Sequence, residues 1–230
     1  MKDIKQLYCE EWNRFKARHL KIFLLALLLF ILVAVLSYTY LLGHPDLTEQ
    51  KFMELAEKLL EKVPVDKGKL VMSAAILLSN LAAVSLVVGM GLAPFMFLPA
   101  FGVILNGAAM GVMSAFMTLR GVDLGSLLLF GLAPHGIIEI PTFLYACTLG
   151  IALCLGLTRF IITELFGRGN SAAPPSPGAI GPEESFTDLL KHTFRTFVLV
   201  IVPLILLAAA IEAFITPLLI HAFIGDLHLL

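Results

Sequence analysis

The run from Leu124 to Thr158 constrains this chain most: 35 residues whose only charged or imidazole side chains are His135 and Glu139. As one α-helix it would measure about 52 Å, at roughly 1.5 Å per residue. A bilayer core is only about 30 Å thick. Pro134 resolves the excess, because a proline removes a backbone donor and clashes with the preceding turn. The sequence therefore predicts a break there. It separates a half-helix at 124–133, about 15 Å long and re-entrant or interfacial, from a full span at 136–158.

Composition supports the membrane reading. Hydrophobic residues make up 59% of the 230 and charged residues 14%, against about 25% charged in a soluble domain. The net charge of -1 hides a segregation of charge into the ends and two loops. No basic face survives it, which excludes nucleic acid as a partner. Cys9, Cys147 and Cys154 show neither metal spacing nor a disulfide framework and read as small packing residues. The apolar run after the basic N-terminus has no small-x-small cleavage site behind it, so it is expected to stay as an anchor.

The predicted architecture is all-α: a polytopic membrane helix bundle of five transmembrane helices, the half-helix and short amphipathic helices, in a single membrane domain. Residues 1–21 carry six Lys or Arg, with Ile4, Leu7, Tyr8, Trp12 and Phe15 at helical spacing. They read as an amphipathic segment on the anionic face of membrane lipids. The spans are 22–42, 70–92, 95–119, 136–158 and 197–220. The 43–69 loop holds a helix at 47–62, with Asp46 and Glu49 as a candidate capping box, Glu54 and Lys58 as an i,i+4 pair, and Pro64 ending it. Residues 159–196 combine a Pro/Gly-rich linker at 167–185 with an amphipathic helix. Lys and Arg number six before the first span, four between the last two spans and none after the fifth. The expected orientation is thus N-terminus in the cytoplasm and C-terminus outside.

An ionisable side chain inside a span is costly and usually has a task. His135 and Glu139 are four residues apart on one helix face, and Glu212 lies within the fifth span. They make a candidate ion, proton or ligand site, with zinc or another divalent metal as the candidate cofactor. The alternative is a satisfied polar network that fixes helix register. A His-x-x-x-Glu pair is short of the three or four ligands zinc wants, and no His-Glu-x-x-His is present to make a metalloprotease. Asn80 and Asn106 read as mutual hydrogen-bond partners. Gly107-Ala-Ala-Met-Gly111 gives the third span a flat face for close packing, within the bundle rather than across a homodimer.

Asn106-Gly107 with Gly111, Pro134-His135-Gly136 with Glu139 and Pro141, and the earlier Asn80 together resemble the stage II sporulation protein M family. The resemblance implies a non-enzymatic membrane scaffold of the mother cell in endospore formation. It also implies two peptidoglycan-degrading partners, stage II sporulation proteins D and P, at the septal or engulfing membrane. The alternative from another class is a small transporter or channel component binding an ion at His135, Glu139 and Glu212, since transporters use broken helices in this way.

Overall fold

The computed structural model describes residues 3–60, 69–166 and 185–223, which form helices and the turns that join them, with no strand among them. The expected helix end at Pro64 and nearly all of the 167–185 linker lie outside the described residues. The helices are α1 (Ile4–Arg14), α2 (Leu20–Leu42), α3 (Pro45–Leu60), α4 (Lys69–Met90), α5 (Leu98–Leu119), α6 (Leu124–Ser126), α7 (Ala133–Phe166), α8 (Phe186–Thr196), α9 (Val202–Phe214) and α10 (Thr216–Phe223). Among the described residues five helical stretches are long and apolar enough to cross a membrane: Ile4–Leu42, Ser73–Met90, Leu98–Leu119, Leu124–Leu165 and Phe186–Phe223.

Three of these stretches are longer than expected because π-helical turns, rather than breaks, join their parts. Phe15–His19 links α1 to α2, Leu127–Leu132 links α6 to α7, and Phe197–Ile201 links α8 to α9. The predicted separation of a 124–133 half-helix from a span starting at 136 is thus corrected. The backbone stays helical from Leu124 through Phe166. Pro134 is the second residue of α7, where the wide π turn before it already disrupts regular i→i−4 bonding, so its missing N–H is tolerated. Residues 4–21 likewise run without interruption into the first span rather than forming a separate helix.

The chain forms two compact units. One comprises Met1–Leu28, Val84–Val103 and Phe143–Pro203, the other Leu29–Ala83, Ile104–Thr142 and Leu204–Leu230.

In the first unit α4, α5 and α7 meet through glycines. A Cβ on Gly150 would stand 2.6 Å from the Val87 carbonyl and 2.8 Å from Pro99. One on Gly91 would run into the backbone of Gly150. Leu144, Ala146, Cys147, Leu149 and Cys154 are buried around this contact, as expected for the two cysteines. The turn before α5 holds Phe95 and Phe97 at φ of 66° and 47°, a region aromatic side chains rarely adopt. The Phe95 N–H donates to Thr158 Oγ1 at 3.0 Å, fixing one end of that turn.

The first unit also contains an ion pair the sequence did not reveal. Glu11, 3% exposed, accepts from Arg195 Nε and from Thr196 Oγ1, each at 2.5 Å. Arg195 reaches Glu10 as well, and Tyr8 Oη donates to the Leu199 carbonyl at 3.0 Å. The N-terminal helix is therefore bound to α8 and the turn after it, while Ile4, Tyr8 and Trp12 stay exposed.

In the second unit Gly107 and Gly111 pack on α2. A Cβ on Gly111 would lie 2.5 Å from Ser37 Cβ and 2.7 Å from the Ala34 carbonyl. The small-residue face thus serves packing within the chain, as the sequence suggested. Phe52 of α3 stacks on Phe116 of α5, with centroids 3.6 Å apart and planes 2° from parallel. Arg120 lies over the same ring at 5.0 Å and binds Glu49 at 3.0 Å. Glu49 therefore serves α5 instead of the expected capping box, and α3 begins at Pro45 rather than 47. Thr48 Oγ1 donates to the Leu41 carbonyl at 2.7 Å, tying the start of α3 to the end of α2. Glu54 takes Lys51, at 2.9 Å, as its ion-pair partner.

Two outcomes test this packing. Gly111→Val forces a side chain into the α2 backbone and should cost about 1–3 kcal/mol or more, read as a lower melting temperature in detergent. Arg195→Ala strands the Glu11 carboxylate and should cost about 3–5 kcal/mol, with Glu11→Gln added to it recovering part of the loss.

Candidate functional site

The site belongs to the second unit and grows from two helix irregularities. The first is the π turn Leu127–Leu132 ahead of α7. Asp123 caps the start of α6, accepting from the Ser126 N–H at 2.7 Å, and that bond holds its carboxyl below the usual range. His135 and Glu139 then fall one turn apart at the beginning of α7, on the same face. The second irregularity is at Ile215, which separates α9 from α10. Pro217 explains it, since it has no N–H to offer the Ala213 carbonyl four residues back. Glu212 lies in the last turn of α9 and Thr216 opens α10.

Phe130 of the π turn stacks on Phe223 of α10, with centroids 4.2 Å apart and planes 8° from parallel. This contact holds the two irregular segments together. At the same junction His135 Nδ1 lies 3.1 Å from Thr216 Oγ1. The threonine hydroxyl also donates to the Ile211 carbonyl at 3.4 Å. In the tautomer whose Nδ1–H donates to Thr216 Oγ1, the imidazole lone pair is on Nε2.

His135, Glu139 and Glu212 each direct a donor atom to one place. One ligand atom from each of the three residues lies within 4.8 Å of the other two, and all three side chains are half-buried. The segments Leu124–Thr158 and Phe197–Phe223 contain no Lys or Arg to balance the two carboxylates. The predicted grouping of these residues is therefore present, with Glu212 brought in from 73 positions beyond Glu139.

The remaining predicted residues have other places. Gly136 sits between its two polar neighbours, and a Cβ there would press on Leu132 Cγ at 3.2 Å. Gly107 and Gly111 are packing residues of α5. Asn80 Nδ2 is buried without an acceptor, so it makes no donor bond of the expected kind to Asn106. Sequence reasoning missed Thr216, although a Thr-Pro pair inside a span was a readable sign of an interrupted helix with a polar side chain at the gap.

If the His135–Thr216 contact orients the ring, a double-mutant cycle with His135→Ala and Thr216→Val should return a coupling of about 0.6–1.7 kcal/mol, the range for such bonds in membrane bundles. Unfolding in mixed micelles measures it.

A family model described as Stage II sporulation protein M matches residues 22–217. No curated protein and no solved structure matches the chain.

Proposed function

Because the chain belongs to the stage II sporulation protein M family, we propose that it is a non-enzymatic membrane scaffold of endospore formation, one that holds wall-degrading enzymes at the septal or engulfing membrane. The observation that carries this reading is the extent of the family match, which takes in nearly the whole helical framework from the first span to the start of α10. Its partners on this reading are stage II sporulation proteins D and P. The N-terminus lies in the cytoplasm, as its Lys and Arg excess favours, and α3 lies outside, where a peptidoglycan hydrolase works. Helix α3 suits a docking role because the Phe52–Phe116 stack and the Arg120–Glu49 pair hold it in a defined place.

The His135, Glu139 and Glu212 cluster favours a second reading, an ion-conducting or transporting component, since interrupted helices with convergent polar groups are what such proteins use. Cross-linked pull-down from sporulating cells tests the first: the chain should capture both hydrolases, and Phe52→Ala should reduce the yield of each while membrane insertion persists. Capture of neither by the wild-type chain overturns the scaffold. Purified chain in liposomes that moves protons or divalent ions supports the second reading in its place.

A further inference from the structure

We propose that His135, Glu139 and Glu212 form a divalent transition-metal site that clasps the beginning of α7 to the end of α9, with zinc as the best-fitting ion. Three features of the molecule converge on it.

The first is donor convergence. Ligand atoms from three residues come within 4.8 Å of one another. A triangle with sides of that length has its centre about 2.8 Å from each corner, so each donor moves in by only about 0.7 Å to reach a zinc bond of about 2.1 Å. Side-chain rotation supplies that without moving a helix.

The second is charge. In the deprotonated state that a metal requires, two carboxylates and a neutral imidazole sum to −2, and the flanking segments supply no Lys or Arg. Inside an apolar span buried charge is tolerated when it is paired or holds a metal. A dication neutralises the set in one step.

The third is orientation of the imidazole. Metal-binding histidines generally donate their other ring N–H to an oxygen, which fixes ring and tautomer. Thr216 Oγ1, 3.1 Å from His135 Nδ1, is within reach to accept that proton. That tautomer leaves Nε2 as the metal-binding nitrogen.

One nitrogen and two carboxylate oxygens, without a thiolate, suit a borderline ion such as Zn²⁺, with Mn²⁺ and Fe²⁺ as weaker competitors. Three protein ligands leave a coordination position open to water or to an incoming group. The site holds independently of hydrolase recruitment.

Elemental analysis of full-length chain, purified in detergent without chelator, should find about one divalent ion per chain. After stripping, zinc chloride or manganese chloride alone should raise the melting temperature. Zinc-edge X-ray absorption of the reloaded chain should show a nitrogen and oxygen shell. Glu139→Gln and Glu212→Gln should each weaken retention about tenfold or more, whereas Glu54→Gln should retain the ion fully. A stripped wild-type chain that neither metal stabilises overturns the proposal, as does a shell containing sulfur or full retention by the Glu139→Gln, Glu212→Gln double variant. Should those variants fail to fold, the wild-type reloading and the absorption shell decide it alone.

Discussion

Everything in this molecule answers to the scarcity of water around its backbone. In a span, each N–H and C=O must find a partner within the protein, and a proline leaves a carbonyl without one. Pro134 and Pro217 each disturb a helix in this way, and the chain places the two disturbances together in one unit. The Phe130–Phe223 stack and the His135–Thr216 contact bridge them. Two of the chain's backbone irregularities and the His135, Glu139 and Glu212 side chains therefore gather in one unit.

Elsewhere the helices cohere by shape. Lipid tails are as apolar as leucine, so burying leucines offers little gain between spans, and close backbone approach matters more. Gly107 and Gly111 provide it against α2, and Gly91 and Gly150 provide it between α4 and α7. Contacts of this kind are intolerant of a single methyl group, because the opposing atoms are main chain rather than the free end of a side chain.

Much of this was legible in the chain itself. The five spans, the packing role of Gly107 and Gly111, and the grouping of His135 with Glu139 all follow from periodicity, spacing and bilayer thickness. The joins were harder to see. Pro134 announced an irregularity but not its form, since a broken helix and a π turn both relieve the same missing donor. Gly91 and Gly150 are single glycines with no motif, and their significance exists only once the two helices touch. Glu11 and Arg195 are 184 residues apart, and each reads in isolation as an ordinary surface charge on an amphipathic helix. Glu212 was visible as an odd acid in a span, but Thr216 beside it carried no charge to draw notice.

The π turns at Phe15–His19, Leu127–Leu132 and Phe197–Ile201 share a position, each just ahead of the apolar stretch that follows it. Such a turn holds one residue more than regular helix requires. Winding that residue into regular helix instead would swing every downstream side chain about the axis by roughly 100°, the angle one residue covers. For the second turn, the imidazole and carboxylate of α7 would then face away from α9 and α10. Within Leu127–Leu132, the width of the turn thus weighs more than residue identity: leucines can be exchanged for other apolar residues, but the turn must take up its extra residue for the rest of the helix to keep its rotational phase.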